Sequence, residues 1–148
     1  MKAVIQRVEN AHVSIHNKIK SKINSGYVIL LGIHKNDTFQ DSEWIIKKLL
    51  NLRLFNDVSG KPNLNITEIK RDILVISQFT LIADCKKGTR PSYSNALNPK
   101  EAKELYNQFI STLQTQYARI KTGEFQEHMK VSLTNDGPIT IILDSKNK

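Results

Sequence analysis

The sequence predicts a single α+β domain in which two helices pack on an antiparallel or mixed β-sheet. Short apolar or alternating segments indicate roughly six to eight strands, and only two segments have helical spacing. These elements lack the regular strand–helix alternation of a parallel α/β fold. The chain contains no internal repeat, low-complexity tract or linker, so we treat residues 1–148 as one domain.

The N-terminal part of the chain has the pattern of β-structure. Apolar positions between residues 4 and 15 predict one or two strands, with a break near residues 9–11. A further strand is expected over residues 19–23, followed by a turn at residues 24–26. Residues 27–33, YVILLGI, form an unbroken apolar run, which is typical of a strand buried on both faces.

Two helices follow. Thr38 with Asp41 three residues later resembles a capping box, so the first helix begins there and runs to about Asn51. Its expected buried residues are Trp44, Ile45, Leu49 and Leu52. A turn at residues 58–63 separates it from the next β elements.

The second helix is predicted to begin after Asn98, because Pro99 suits the first helical position and Glu101 the first turn. Its apolar residues recur at spacings of three and four and should pack on the sheet. They are Ala102, Leu105, Tyr106, Phe109, Ile110 and Leu113.

Two polar segments stand where predicted strands meet turns. Residues 77–81, SQFTL, follow the apolar run 73–76, so hydroxyl, amide and aromatic groups emerge together from a buried strand, as at the edge of a pocket. Residues 135–140, NDGPIT, separate the alternating stretches 129–133 and 139–143. The Gly-Pro peptide there predicts a rigid turn that exposes backbone oxygens.

Composition limits the class of protein. A chain of 148 residues, 39% of them hydrophobic, can bury a core of its own. It has no apolar run of about 18 residues, and its N-terminus becomes charged too early for a signal peptide, so we expect a cytoplasmic protein with no membrane partner. The single cysteine, Cys85, cannot form an internal disulfide, and we expect it to be an incidental buried thiol, with a redox sensor as the alternative.

The chain is basic, with 22 Lys and Arg against 14 Asp and Glu and a formal net charge of +8. Such a surface favours polyanions and would steer encounter with nucleic acids. The cations cluster at residues 18–22, 47–48, 86–90 and 146–148. A charge run is most often an ordinary solvated face, but residues 86–90 are the exception because they follow closely on SQFTL.

The common metal and nucleotide signatures are missing from the sequence. The histidines at positions 12, 16, 34 and 128 lack metal-ligand spacing, and there is no G-x-S-x-G elbow, P-loop or dinucleotide fingerprint. We therefore expect no metal and no cofactor. A hydroxyl-rich strand end with backbone amides suits an ester and its oxyanion. Thr80 is either a nucleophile without a nearby base or an ordinary strand threonine, and Phe79 is either core or a stacking platform for a base.

Five segments together resemble a known family. They are MKAVIQRV at residues 1–8, LRLF at 52–55, SQFTL at 77–81, KGTRPS at 87–92 and NDGPIT at 135–140. In this order, and across nearly the whole chain, they are similar to the D-aminoacyl-tRNA deacylase family. The resemblance implies that family's fold, a barrel-like sheet with two main helices packed on it.

The resemblance also implies an activity. It points to a homodimeric editing enzyme, with active sites at the subunit interface, that hydrolyses the ester joining a D-amino acid or glycine to the 3′ end of tRNA. Its partners would be tRNA and a second copy of the chain, with no DNA. In this family the Gly137–Pro138 peptide is cis and enters the partner's active site, leaving no room for an L side chain. The residue types agree, since glycine lacks Cβ and X-Pro is the common site of cis peptides.

The same resemblance assigns the site residues. Ser77, Gln78, Phe79 and Thr80 would line the pocket for the terminal adenosine and the ester, with backbone N–H groups near Gln78 and Phe79 polarising the carbonyl. Catalysis would be assisted by the RNA, through the 2′-hydroxyl of the terminal ribose.

Two more residues are assigned by the resemblance. Arg7 would hold the Gly-Pro loop, and Met129 would face the pocket. Their alternatives are a surface ion pair and an ordinary core residue. Gln126 and Glu127 depart from the small residues that the family often carries there, which puts pocket shape or tRNA preference in question.

Two alternatives remain open. The chain could be a basic RNA-binding module without turnover, since no side-chain base is evident. It could also be a hydrolase with an unrecognised Ser-His-Asp set, in which case removing one of the four histidines would inactivate it.

Overall fold

The structure, a computed structural model, describes residues 1–147 and confirms the α+β class. Within this range there are eight strands, two α-helices and one 3-10 helix. The strands are β1 Lys2–Ile15, β2 Lys18–Ile23, β3 Gly26–Gly32, β4 Arg53–Asn56, β5 Pro62–Asn65, β6 Asp72–Ser77, β7 Ile120–Thr122 and β8 Lys130–Asp144. The helices are α1 Phe39–Asn51, the 3-10 helix Phe79–Ile82 and α2 Pro99–Gln116.

Six strands form a mixed sheet that nearly closes into a barrel. Its order is β2-β1-β3-β6-β7, and β8 pairs with β1. The β3–β6 and β6–β7 pairs are parallel, and the pairs made by β1 are antiparallel. Strands β4 and β5 form a separate two-stranded sheet. β5 therefore begins at Pro62, inside the turn predicted for residues 58–63.

Strand β1 is continuous, although the sequence allowed a break near residues 9–11. The polar residues Glu9 and Asn10 coincide with irregular pairing to β8, because the register shifts between Val8 and Asn10. A β-bulge bends a strand while keeping it in the sheet. This bend lets one strand pair with β3 through its first half and β2 through its second.

Both helices begin where the sequence predicts. The Asp41 carboxylate accepts a hydrogen bond of 2.9 Å from the Thr38 N–H, which confirms the capping box of α1. The Asn98 side chain accepts from the Glu101 N–H at 3.1 Å and caps α2. Each helix buries the predicted stripe, with Trp44, Leu52, Leu105 and Ile110 half-buried at its edge.

The Asp41 carboxylate also ties the C-terminal segment to α1. Burial acts to raise the pKa of Asp41, but hydrogen bonds from Thr38 and Lys146 hold it well below its ordinary value. Lys146 Nζ lies 3.0 Å from Asp41 Oδ2. Of the basic cluster at residues 146–148, Lys146 is thus engaged within the fold, and Lys148 lies outside the described residues.

Two apolar clusters support the sheet from opposite faces. The larger lies between the sheet and the helices and includes Ile29, Ile45 and Phe109, each with no exposed surface. The smaller lies inside the barrel and contains Val8, Ala11, Val13, Ile23, Val28, Leu74 and Ile76. Strand β3 contributes alternate residues to the two clusters, so it is buried on both faces as predicted.

The surface of the protein differs from the prediction at Cys85. Cys85 is exposed and not the buried thiol that we expected, because it lies in a loop between Asp84 and Ser92, outside the strands. Among residues 1–147, neither helix combines the length and the apolar character needed to cross a membrane.

Candidate active site

A cavity of about 670 Å³ opens where β6 ends, beside the start of α2. Its walls also include the segment that carries Tyr93 and the chain that leads into β8. Three predicted residues of the first motif line it, namely Ser77, Gln78 and Phe79. Met129 also lines it. The structure thus brings together four of the predicted site residues.

The first motif is held against β3 by backbone contacts. Ser77 pairs with Leu31 at the end of the parallel ladder, and the Gln78 N–H donates to the Leu31 carbonyl at 2.7 Å. Gly32 permits this approach, since a Cβ there would lie 2.9 Å from Leu81 Cβ and 3.0 Å from the Gln78 carbonyl oxygen. The wall of the cavity is therefore positioned by the sheet itself.

The backbone donors at this strand end differ from those predicted. The Gln78 N–H is engaged by Leu31 and cannot bind a substrate carbonyl without breaking that bond. Among residues 1–147, the Phe79 and Thr80 N–H groups have no acceptor. They belong to the first turn of the 3-10 helix, where N–H groups lack partners in the helix. Adjacent free donors of this kind can bind an oxyanion.

Thr80 does not line the cavity. Its hydroxyl accepts a hydrogen bond from the Gln78 side-chain amide, and both side chains lie outside the core. Through this bond Thr80 can orient Gln78, which does line the cavity. Thr80 therefore supports a residue of the cavity wall through one hydrogen bond. Its predicted role in catalysis stays a prediction.

Phe79 is 58% exposed, which excludes the alternative that it is a core residue. Its ring packs edge-to-face against Tyr93, with centroids 5.0 Å apart and an interplanar angle of 65°. Tyr93 is 40% exposed and also lines the cavity. Two exposed rings at one opening can accommodate a nucleobase by stacking.

Met129 reaches the cavity from the chain before β8. It packs against the inner cluster and is half-buried, so it is both a pocket residue and partly a core residue. Its sulfur would lie 2.5 Å from a Cβ at position 123, and Gly123 therefore leaves the room that Met129 occupies. Gln126 and Glu127, the departures from the family pattern, are exposed and line the same cavity.

The Gly137–Pro138 segment lies elsewhere in the chain's own fold. Val8 pairs with Asn135 and Gln6 with Thr140, so residues 136–139 bulge out of β8. The Gly137–Pro138 peptide is cis, and both residues are exposed. Residues 132–135 of β8 separate this loop from Val131 at the cavity, a distance of roughly 17 Å along an extended strand.

Arg7 holds the base of this loop. Its Nε lies 3.0 Å from Asp136 Oδ2 and donates to the Asp136 carbonyl at 3.1 Å. Its Nη1 donates to the Leu54 carbonyl at 2.5 Å, and its guanidinium lies 5.9 Å from the centroid of the Phe55 ring. Arg7 is only 8% exposed, which is inconsistent with the surface ion pair that we considered.

Gly137 fits this arrangement closely. Its φ is 131°, in the region that favours glycine. A Cβ there would meet Ile139 Cγ1 at 2.8 Å and the Ile139 nitrogen at 3.0 Å, with Arg7 Nη2 at 3.4 Å. Asn135 closes the loop, since its side chain accepts from the Ile139 N–H at 2.8 Å.

Some cavity residues escaped sequence analysis. Tyr93 and His128 lie in segments without a regular period, and Phe125 precedes β8 without belonging to it. Asn98, Pro99 and Ala102 were identified only as the start of α2, yet they line the cavity. The start of α2 could be found from its capping residues. The contact of Tyr93 with Phe79, by contrast, depends on the tertiary fold. Within residues 1–147, no three His, Cys, Asp or Glu side chains are grouped to hold a metal ion.

Comparison with known proteins adds independent findings. The sequence matches the family described as D-Tyr-tRNA(Tyr) deacylase over residues 4–144. It is 51% identical over 147 residues to the D-aminoacyl-tRNA deacylase of Thermosipho melanesiensis, covering 99% of this chain and 98% of that protein. It is 49% identical over 148 residues to the D-aminoacyl-tRNA deacylase of Finegoldia magna, covering 100% of both.

Two solved structures have the same fold. A c-Myc DNA unwinding element binding protein superposes with a TM-score of 0.93 at 40% identity, covering 97% of this chain and 98% of that chain. A probable eukaryotic D-amino acid tRNA deacylase has a TM-score of 0.84 at 15% identity, over 96% of this chain and 97% of that one, and shows the fold alone. The predicted barrel-like sheet with two helices is therefore confirmed.

Proposed function

We propose, because the chain belongs to the D-Tyr-tRNA(Tyr) deacylase family, that it hydrolyses the ester between a D-amino acid and the 3′ end of tRNA. The family was predicted from five sequence segments, and the full-length matches confirm it. The observation that carries the proposed chemistry is the free N–H group of Phe79, in the wall of a cavity that Ser77 and Gln78 also line.

In the proposed reaction, water attacks the ester carbonyl, the carbonyl oxygen becomes an oxyanion, and the bond to the ribose oxygen breaks. Free amino acid and tRNA are released, and the water proton passes to the ribose oxygen. The Phe79 N–H group would bind the oxyanion, and one such donor stabilises the transition state by about 3 to 4 kcal/mol. The 2′-hydroxyl of the terminal ribose would assist the attack, so no side chain acts as nucleophile.

The terminal adenosine would bind at the aromatic side of the cavity. The exposed faces of Phe79 and Tyr93 suit stacking with a base, which contributes roughly 1–3 kcal/mol per base. The ester would then lie toward the free donors at the end of β6. Since the proposed assistance requires a 2′-hydroxyl, the substrate is RNA and not DNA.

Selection against L-amino acids is assigned to Gly137 and Pro138 of a second subunit. In the chain's own fold this loop is exposed and does not line the cavity, so it is available to enter the cavity of a partner. There it would bind the amino group through backbone oxygens and clash with an L side chain. Glycine has no side chain to clash with, so glycyl-tRNA would also be a substrate.

A homodimer is supported by the exposed part of β8. Among the described strands, β8 pairs only with β1, and its other edge is open. Val131 is 37% and Ile142 is 69% exposed on this strand. Open strand edges with apolar side chains favour pairing between chains. We assign the function to the cytoplasm, where charged tRNA is used.

The test is deacylation of matched D-tyrosyl-tRNA and L-tyrosyl-tRNA by the purified protein treated with a chelator, after subtraction of spontaneous ester loss. We expect rapid release from the D-ester and only background release from the L-ester. Equal release of both esters would contradict the chirality-selective site. Binding of charged tRNA without release would favour the RNA-binding alternative.

A further inference from the structure

We propose that the loop between Asp84 and Ser92, called here the basic loop, binds backbone phosphates of the tRNA strand that leads into the cavity. The inference rests on the proposed function, since it takes the substrate to be a charged tRNA. It assigns Lys86, Lys87 and Arg90 to recognition of the nucleic acid and not to the chemistry.

The basic loop is anchored at its base and open at its tip. Asp84 and Ser92 exchange two backbone hydrogen bonds of 2.8 and 2.9 Å. The Asp84 side chain also accepts from the Lys86 N–H at 2.9 Å. Every residue from 85 to 92 is exposed. The cations are therefore presented to solvent from a fixed base.

The cations of the basic loop differ from many others on the surface. Lys20 pairs with Glu124 at 2.8 Å, Arg119 pairs with Asp72 at 2.9 Å, and Lys121 and Lys130 donate to oxygens of the fold at 2.7 and 3.0 Å. Within residues 1–147, by contrast, the charged side-chain groups of Lys86, Lys87 and Arg90 make no hydrogen bond or ion pair, and all three residues are exposed. Free exposed cations can pair with phosphates without first breaking a bond within the protein.

The basic loop directly precedes a residue of the cavity wall. Tyr93, which lines the cavity and packs on Phe79, directly follows Ser92. Arg90 is three residues from Tyr93, so their Cα atoms are at most about 11 Å apart. The loop also follows the 3-10 helix that carries the free N–H groups, which ends at Ile82. The loop thus connects the two segments that form the proposed adenosine site.

The size of the substrate requires such a surface. A cavity of about 670 Å³ holds only the aminoacylated end of a tRNA, and the preceding nucleotides must cross its rim. Each of those nucleotides carries a phosphate, and three cations within five residues match that charge spacing without reading the sequence. The expected contribution is to affinity and encounter, not to the rate of ester cleavage.

The experiment compares two triple variants of the full chain. The loop variant is Lys86→Gln, Lys87→Gln and Arg90→Gln, and the matched control is Lys47→Gln, Lys61→Gln and Arg71→Gln. The control residues are also exposed, and they lie outside the cavity. Both variants lose three positive charges. Each is assayed on D-tyrosyl-tRNA and on 3′-O-(D-tyrosyl)adenosine, with salt varied from about 50 to 200 mM.

We expect the loop variant to lose about tenfold in kcat/KM on the tRNA ester at low salt, through KM, while the control variant loses about twofold or less. The log–log salt slope should become shallower by about 2, since each contact to a single strand contributes about 0.7. Activity on the adenosine ester should be unchanged in both variants. Thermal melts establish that both are folded.

Equal behaviour of the two variants on the tRNA ester would overturn the inference. The inference would also be overturned if the loop variant lost as much activity on the adenosine ester as on the tRNA ester. The loop would then act on the cavity and not on the RNA. If the wild-type protein cleaves neither ester, the proposed function fails separately. In that case the salt slopes for binding uncharged tRNA decide the loop's role, and a slope unchanged in the loop variant contradicts it.

Discussion

The cavity wall and the Gly137–Pro138 loop are held in different ways. Residues 77–79 continue a buried parallel ladder, and a backbone bond from Gln78 to Leu31 fixes them. The Gly137–Pro138 loop is exposed and depends on side chains, chiefly those of Arg7 and Asn135. The sheet therefore determines the cavity, whereas a few side-chain contacts determine the loop. Single substitutions should then separate chirality selection from the fold.

The substitution Gly137→Ala should have the largest effect. The new Cβ would meet Ile139 at 2.8 Å in a backbone conformation that side chains rarely adopt, so the loop must move. A displacement of about 1 Å at a site can cost roughly 100-fold in rate. We expect at least that loss of kcat/KM on D-tyrosyl-tRNA, with little change in melting temperature because the loop is exposed.

The control for this prediction is Gly60→Ala. Gly60 also has a positive φ, of 78°, but a Cβ there would meet nothing within 4 Å. We expect its activity to remain within about twofold of the wild type. The substitution should cost only about 1 kcal/mol of folding free energy, and Gly60 does not line the cavity. Full activity of the Gly137→Ala variant would contradict the role of the loop.

Mixing subunits tests whether the two regions meet across a dimer. Phe79→Ala damages the cavity and leaves the loop intact, whereas Gly137→Ala does the reverse. In a mixed dimer, one composite site contains an intact cavity and an intact loop. Co-refolded variants should therefore recover roughly a quarter of wild-type activity, although each variant alone is nearly inactive. The sum of the two separate activities, with no gain, would place both elements in one subunit.

The substitution Arg7→Ala should have a smaller effect than Gly137→Ala. It removes the contacts to Asp136 and leaves the Leu54 carbonyl without its donor, which costs about 1–3 kcal/mol of stability. We expect roughly a tenfold loss on the D-ester and a reduced D-to-L rate ratio, because the loop is less fixed. Melting and both deacylation rates should be measured.

A suitable control is Arg53→Ala. Arg53 also donates two hydrogen bonds, both to Asn63, but its side chain has no hydrogen bond to the Gly137–Pro138 loop. It should leave the D-to-L ratio unchanged. An unchanged ratio in the Arg7→Ala variant would show that Arg7 contributes only to stability.

The sequence was informative where the pattern is local. The capping residues Thr38 and Asn98 fixed both helix starts, and the apolar run before Ser77 located the cavity wall at a strand end. Local residue types also identified the exposed Gly137–Pro138 turn. Each of these features depends on residues a few positions apart.

The parts that the sequence did not predict depend on distant contacts. The sequence does not reveal that Gln78 donates to Leu31, which leaves Phe79 and Thr80 as the free donors. It also does not reveal that Tyr93 reaches Phe79, because the two rings are brought together by an irregular loop. The resemblance supplied roles for the motif residues, but the placement of Thr80 outside the cavity required the structure.

The substitution Thr80→Val should have a moderate effect, because Thr80 contacts Gln78 and not the cavity. Its hydroxyl orients the Gln78 amide, and one such hydrogen bond contributes about 1 kcal/mol, or about fivefold. Thr80→Ser keeps the hydroxyl and should remain close to the wild type. A loss of 1,000-fold or more in Thr80→Val with normal activity in Thr80→Ser would instead favour a nucleophilic hydroxyl. The measurement is kcat on D-tyrosyl-tRNA.

His128 provides the smallest expected effect and the clearest test of the remaining hydrolase alternative. It lines the cavity, which a general base would have to do. A histidine base is usually oriented by a second group, yet among residues 1–147 His128 has no hydrogen-bond or ion-pair partner, and it is exposed.

We therefore expect His128→Gln to keep kcat within about threefold of the wild type between pH 6 and 8, whereas loss of a general base costs roughly 100-fold or more. His12→Gln, outside the cavity, is the matched control. A 100-fold loss confined to His128→Gln would mean that the cavity contains its own base. The free N–H group of Phe79 would then stabilise the oxyanion beside a side-chain catalyst, and assistance from the RNA would not be required.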